Sequence, residues 1–210
     1  MKNHFIVVEG LEGSGKTTAI NTIKKTLNNI GISDIIFTRE PGGTRLGEKI
    51  RKLIKYNFKN DQITHKSELL ILYAARNQLI EKVIKPALMK GKWIISDRHD
   101  LSSQAYQIGG RGLNKKLVQL LRYLVLGKFQ PSLTLYLDIP PELGLQRIYS
   151  RNKIDRIEKE PLSFFIKTRE YYLKIISKNK NILLINANQK IEQVQNDINL
   201  ILNKWLIKNI

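Results

Sequence analysis

The chain has 210 residues and sets 36 Lys and Arg against 18 Asp and Glu, a formal charge of +18, with 42% apolar and 26% charged residues. That length supports one sizeable hydrophobic core, and the composition is that of a globular domain. Cysteine is absent and there are three histidines, which excludes disulfides, thiolate metal sites and cysteine nucleophiles and leaves little material for a histidine-built metal centre. The charge points to an anionic partner, whether nucleic acid, an acidic membrane surface or a phosphorylated small molecule. The basic residues are spread along the chain, however, and a solvated basic surface accounts for part of the excess equally well.

In chain order, the first apolar run is Phe5–Glu9. It is too short for the apolar core of a signal peptide, and no later window is long enough to span a bilayer, so a cytoplasmic location is expected. Directly after it comes Gly10-Leu11-Glu12-Gly13-Ser14-Gly15-Lys16-Thr17, which matches G-x-x-x-x-G-K-[ST], followed by Thr18 and a helical pattern over Lys16–Asn29. Glycines there let successive backbone N–H groups turn inward around a phosphate, and the helix N-terminus adds favourable partial charge. Lys16 can reach β- and γ-phosphates, and the Thr17 hydroxyl can ligate Mg²⁺. Glu12, a carboxylate inside a phosphate loop, calls for a partner such as a sugar hydroxyl or a hydrated magnesium ion, unless it points into solvent.

A second run, Asp34–Thr38, leads into Arg39-Glu40-Pro41-Gly42-Gly43 and a helix over Gly47–Tyr56 that carries Arg51. A long amphipathic pattern over Lys66–Lys90 contains Tyr73-Ala74-Ala75-Arg76. The third run, Trp93–Asp97, continues into Arg98 and His99, and then Ser102, Ser103, Tyr106 and Gln107 precede the glycine-rich Gly109–Gly112. Helix patterns over Asn114–Leu126 and Pro141–Ser150 flank the fourth run, Leu133–Asp138. Arg147, Arg151, Lys153 and Arg156 cluster after it, where a lid could close over a nucleotide. Helix Pro161–Ser177, run Ile182–Asn186 and helix Ile191–Ile207 complete the chain. Five short, continuously apolar runs separated by helices predict one α/β domain: a five-stranded parallel sheet covered on both faces, a P-loop NTPase fold with an Arg-rich lid at about residues 147–160. Ligands of such sheets gather at the carboxyl ends of the strands, and that is where the arginines fall. Guanidinium forks match phosphate oxygens, so several at one sheet edge suggest phosphorylated substrates.

From Glu9-Gly10-Leu11-Glu12-Gly13 through Phe37-Thr38-Arg39-Glu40-Pro41-Gly42-Gly43 and Asp97-Arg98-His99 to Asp155-Arg156-Ile157-Glu158, the sequence closely resembles the bacterial thymidylate kinases over essentially its whole length. The resemblance implies phosphorylation of dTMP to dTDP with ATP and Mg²⁺, and a homodimer built through apolar faces of helices early in the chain. It implies an ATP site of Gly10, Leu11, Glu12, Gly13, Ser14, Gly15, Lys16, Thr17, Thr18 and Arg147. It implies Arg76 and Arg98 as ligands of the dTMP phosphate with Arg51 in the same pocket, and Ser103 and Gln107 as hydrogen-bonding partners of the thymine edge. Tyr106 would crowd the 2′ side of the sugar, and Glu12 would lie near the 3′-hydroxyl and magnesium. Leu72 stands where the family usually has a phenylalanine that stacks on thymine; it forgoes roughly 0.5–1.5 kcal/mol of the kind aromatic pairs gain beyond area burial. His99 replaces a common tyrosine. Catalytic charge would come from Lys16, Arg98 and the lid residues Arg151 and Arg156, with Thr17, Glu12 and Asp97 around the metal, Asp97 orienting its water or Arg98. Two other readings remain open at this stage: another P-loop deoxynucleotide or deoxynucleoside kinase, and an ATPase stimulated by nucleic acid, for which the sequence shows no helix-turn-helix or arginine-rich tail.

Overall fold

The computed structural model describes residues 4–150 and 154–209. Five strands, β1 (Phe5–Gly10), β2 (Ile35–Arg39), β3 (Trp93–Asp97), β4 (Leu133–Asp138) and β5 (Ile182–Asn186), form one sheet in the order β2-β3-β1-β4-β5. Every pairing is parallel, from Ile35 against Trp93 at one edge to Asp138 against Asn186 at the other. Parallel pairing requires crossovers, and the helices that make them cover both faces, which is why β1 is buried along its whole length. Alternate residues of β1 serve different cores. Ile6 and Val8 join the larger cluster with Ile95, Leu135, Ile23 and Leu202, whereas Phe5 and Val7 join a second with Ile94, Leu79, Ile80 and Ile84.

The helices are α1 (Lys16–Asn29), α2 (Arg45–Lys55), α3 (His65–Leu79), α4 (Lys85–Met89), α5 (Asp100–Gln104), α6 (Lys115–Leu126), α7 (Pro141–Tyr149), α8 (Leu162–Ile176) and α9 (Ile191–Asn209). Thr44 and Thr64 cap α2 and α3, their hydroxyls accepting from the N–H groups of Gly47 and Ser67. All five strands fall where the apolar runs place them. Two helical stretches differ from expectation. The long pattern over Lys66–Lys90 is interrupted by a π-helical turn, Ile80–Ile84, between α3 and α4; a hydrophobic face of this kind does not distinguish i→i+4 from i→i+5 hydrogen bonding. The segment after His99, expected only as a polar stretch ending in glycines, is helical: α5 runs into a second π-helical turn, Ala105–Gly110. Its glycines serve close packing. A Cβ on Gly109 would stand 2.7 Å from the Lys167 carbonyl oxygen, and one on Gly110 would meet Phe164 and Thr168 of α8. This contact fixes the Ser102–Gln107 face over the sheet edge.

β1 lies between β3 and β4, so the crossovers on its two sides leave in opposite directions, and a crevice opens beyond its carboxyl end. The phosphate-loop motif occupies that position. Among the described residues no helix is long and apolar enough to cross a membrane.

Candidate active site

The loop after β1 is shaped by three glycines in the left-handed half of conformational space, Gly10, Gly13 and Gly15, with φ of 148°, 75° and 89°. A Cβ on Gly13 would run into the backbone of Gly144 in α7, so the loop is also pressed against that helix. Gly15 precedes α1, and α1 has no side-chain cap, in contrast to α2 and α3. Its first N–H groups are therefore available to an anion. Ser14 Oγ is buried without a partner. Lys16 Nζ donates to the carbonyls of Leu11 (2.7 Å) and Gly10 (3.1 Å), folding back across the loop. Desolvation, followed by the neighbouring Arg98 charge, lowers its pKa from 10.5 to about 8. These features fit a polyphosphate: open amide donors at a dipole terminus and a cation that a bound anion would recharge.

A cavity of about 350 Å³ extends from this loop, a size that suits a nucleotide-sized ligand. Gly13, Gly15, Lys16, Thr17 and Thr18 form one end of its lining, and Leu72, Arg76, Ser103, Tyr106 and Gln107 the other. Glu12, Arg51, Asp97 and Arg98 lie along it, and Asp155, Ile157 and Glu158 contribute from the lid segment. Gly10, Leu11 and Ser14 belong to the loop but do not line the cavity. Spacing explains the far wall. Ser102, Ser103, Tyr106 and Gln107 recur at i, i+1, i+4 and i+5, one helical face.

Arg98 is the one residue other than glycine with positive φ among those described, at 70°. Such a conformation persists where surroundings enforce it. Buried Glu9 supplies the enforcement: its Oε1 accepts from the His99 N–H at 2.8 Å and the Ser102 N–H at 3.2 Å, and its Oε2 from Ser102 Oγ at 2.5 Å. Ser96 Oγ donates to the Arg98 carbonyl at 2.7 Å. So held, Arg98 Nη2 donates to Glu12 Oε1 at 2.7 Å and Nη1 to Ser102 Oγ at 3.0 Å. The Tyr106 hydroxyl also donates to Glu12. Asp97 Oδ1 is buried with no hydrogen-bond partner. No cluster of three or more metal-ligating side chains occurs among the described residues. Magnesium is commonly held by one or two carboxylates, with phosphate and water completing its shell; the carboxylates of Glu12 and Asp97, with the Thr17 hydroxyl, fit that pattern in the cavity lining.

Two other arginines differ in their neutralisation. Arg76 is 2% exposed and its Nε donates to Glu40 Oε2 at 2.7 Å. Its Nη2 donates to Ser103 Oγ at 2.8 Å and to the His99 carbonyl at 3.1 Å, while Nη1 has no hydrogen-bond partner. Burial would raise the Glu40 pKa, and Arg76 and His99 together hold it below its ordinary value. Arg51 instead donates to a carbonyl, that of Pro41, at 3.0 Å. Burial and then the nearby Arg39 charge lower its pKa, as expected of a cation lacking a full counter-charge. Of the lid residues, Arg147 donates to the Gly13 carbonyl at 3.1 Å, beside the phosphate loop. Arg156 is engaged by Glu68 and donates to the Ile54 carbonyl at 2.8 Å, so in this conformation it ties the lid to α2 and α3 and is not aimed at the phosphate loop. Arg151 and Lys153 lie outside the described residues.

The sequence reading missed Glu9, Glu40, Glu68 and Arg111, all of which organise this site. Glu68, Leu72 and Arg76 recur every fourth residue on α3, a spacing that placed Glu68 on the same face. Glu9 and Glu40 at strand ends carried the same signal, a carboxylate in an otherwise apolar setting.

A P-loop joined through one cavity to a second, arginine-lined subsite defines a P-loop nucleotide kinase. The family model described as thymidylate kinase matches residues 8–198. A thymidylate kinase of Vibrio parahaemolyticus is 55% identical over 206 residues, which cover 98% of this chain and 98% of that protein. The chain belongs to the thymidylate kinase family, whose members are nucleoside monophosphate kinases.

Proposed function

We propose that the protein transfers the γ-phosphoryl group of ATP to the 5′-phosphate of dTMP, with Mg²⁺ as the metal. The observation that carries this reading is the single cavity lined at one end by Lys16 and Thr17 and at the other by Leu72, Ser103 and Gln107. Two nucleotides entering from these ends would meet phosphate to phosphate. Phosphoryl transfer asks the protein chiefly for in-line placement and for positive charge on the moving group. Magnesium, held by Thr17, Glu12 and Asp97, would supply charge neutralisation on the phosphates.

On the donor side, the Gly10–Thr18 loop cradles the triphosphate, Lys16 turns from its carbonyl contacts to the phosphates, and Arg147 lies close enough to contact ATP. On the acceptor side, Arg51 and Arg98 bind the dTMP phosphate. Arg51 donates to the Pro41 carbonyl and not to a carboxylate, and Arg98 shares its charge with Glu12. Arg76 is neutralised by Glu40 and by Asp100, whose Oδ1 lies 3.7 Å from Nη1; Nη1 makes no hydrogen bond, and a donor on so fully compensated a cation suits a base carbonyl better than a phosphate. Ser103 and Gln107 read the base edge, Leu72 covers its face, and Tyr106 fills the sugar's 2′ side. Glu12 and Asp97, with Thr17, would hold the metal, and Arg151 would add charge to the transferring group. No general base is needed, because the attacking phosphate oxygen is already anionic at neutral pH.

The protein acts as a cytoplasmic homodimer in this reading. α6 exposes Leu120, Tyr123 and Leu124, and α3, packed beside it, exposes Leu70, an apolar surface of the kind a second copy covers. Of this exposed surface, α3 contributes Leu70 and α6 the larger share. Sedimentation of Leu124→Glu tests the assembly: a shift to monomer supports this face, and an unchanged dimer excludes it. For the chemistry, steady-state kinetics with MgATP and dTMP should show turnover that disappears on metal chelation; turnover surviving chelation would rule out the metal assignment.

A further inference from the structure

Gln107 is a complete hydrogen-bonding group, with a donor and an acceptor at the end of one side chain. By itself it can satisfy either pyrimidine edge: its oxygen can take the N3–H of thymine or uracil, and its nitrogen can serve the bare N3 of cytosine. Glu68, which the reaction does not otherwise use, removes that freedom. It stands on α3 two turns before Arg76 and is 2% exposed. Its Oε1 accepts from Gln107 Nε2 at 2.7 Å. Its Oε2 accepts from Arg156 and, at 3.4 Å, from Arg111.

The two arginines matter because burial pushes the pKa of this carboxyl up, whereas Arg111 and Arg156 hold it below the ordinary value. Arg111 is itself fixed, pairing with Glu160 at 2.5 Å and lying 4.7 Å over the Phe164 ring. An ionised carboxylate only accepts hydrogen bonds. The opposite amide orientation would set two acceptor oxygens 2.7 Å apart, so the Gln107 NH₂ must face Glu68. Gln107 Oε1 is then left fully buried and without a partner, in the wall of the cavity beside Ser103. A buried acceptor left unmade is costly, and a ligand that brings a donor relieves that cost.

We propose that Glu68 is a specificity-determining positioning residue, which fixes the Gln107 amide with its oxygen toward the base and so selects pyrimidines bearing an N3–H over cytosine. This rests on the reading that Gln107 faces the base, and it names the group that gives that contact its polarity.

dUMP and dCMP differ only at N3 and the adjacent 4-position, so the change in the ratio of their kcat/KM values between variants at Glu68 or Gln107 reports on this edge. In Glu68→Gln the neighbour of Gln107 becomes an amide that can donate as well as accept, and Gln107 can turn. The dUMP:dCMP ratio should fall about tenfold or more, the scale set by a buried mismatched polar group, with dCMP improving in absolute terms. A purely structural role would lower both substrates together and leave the ratio standing, which would overturn the proposal. Gln107→Ala separates the premise: if it leaves the ratio unchanged, Gln107 does not read the base at all. If Gln107→Ala collapses the ratio and Glu68→Gln does not, the role of Glu68 alone fails. Wild-type protein supplies a test that needs no folded variant. The Gln107 side-chain NH₂ should be protected from solvent exchange by NMR both without ligand and with dUMP. Exchange as fast as that of a surface glutamine in the ligand-free protein would overturn the proposal.

Discussion

Arg98 Nη2 and Glu12 Oε1 stand 2.7 Å apart, so the cation at the end of β3 and the carboxylate of the phosphate loop form an ion pair. The pair joins the two substrate subsites through one contact and keeps Glu12 from opposing the phosphates with a free negative charge. Glu9 maintains it from beneath by bonding the backbone of His99 and Ser102.

Removing Arg98 should therefore do two kinds of harm, losing a phosphate ligand and releasing Glu12. Arg98→Ala is expected to reduce kcat/KM for dTMP by about 100-fold or more, the scale for losing one charge-stabilising donor. Adding Glu12→Gln should recover part of that loss, because the released carboxylate is then gone. Unchanged KM and kcat for dTMP in Arg98→Ala would remove Arg98 from the acceptor site.

Lys16 gives the donor side a pH signature. Its pKa is lowered to about 8 by burial and the Arg98 charge, so the protonated form dominates below that pH and is lost above it. A bound triphosphate favours the charged form and raises the pKa again. ATP binding should therefore take up close to one proton between about pH 8 and 10, and affinity should weaken as pH rises through that window. Calorimetry in buffers of different ionisation enthalpy measures the uptake directly. Lys16→Ala should abolish both the proton uptake and most turnover while leaving the fold intact.

Glu40 and Arg76 make the acceptor site sensitive to acid. Both are almost fully buried, and breaking such a pair by removing one member commonly costs about 3–5 kcal/mol, because a charge is left uncompensated. Glu40→Ala should lower the unfolding free energy on that scale and raise the dTMP KM. The Glu40 pKa is depressed in the folded state, so its contribution is present above the unfolded carboxylate pKa and is lost as pH falls through the folded one. Denaturant titrations at neutral and acid pH should show the variant's deficit shrinking with acidification.

Leu72 lines the cavity, and in the proposed reading it covers the face of the base. Leu72→Phe should tighten dTMP binding by about two- to twelvefold, the equivalent of the extra 0.5–1.5 kcal/mol of aromatic stacking. Unchanged or weaker affinity by calorimetry would mean that leucine already packs the base as closely as the cavity allows.

The strands, most helices and the phosphate loop were legible in the sequence because each rests on local pattern. Continuous apolar runs such as Leu133–Asp138 can only be buried strands, and Gly10–Thr17 is a contiguous motif in its required setting. The helix after His99 was not legible, because its glycines signal a loop until α8 is known to press against Gly109 and Gly110. The same limit applies to charges. Arg76 and Arg51 look alike in sequence, yet Glu40, 36 positions before Arg76, neutralises one and not the other. The lid arginine Arg156 finds its partner 88 positions away in Glu68, a pairing with no local signature. Of the +18 charge, Arg51, Arg76, Arg98, Lys16 and Arg147 are placed at the cavity or its loop, and such placement accounts for an anionic partner the size of a nucleotide.

The most direct test of the whole account is an ADP-release assay with MgATP over dTMP, dUMP, dCMP and thymidine, run with and without added DNA. The account predicts that dTMP is the preferred acceptor, that thymidine without its phosphate is not used, and that DNA has no effect. Preference for dCMP or thymidine, or turnover that rises with DNA in the absence of dTMP, would contradict it.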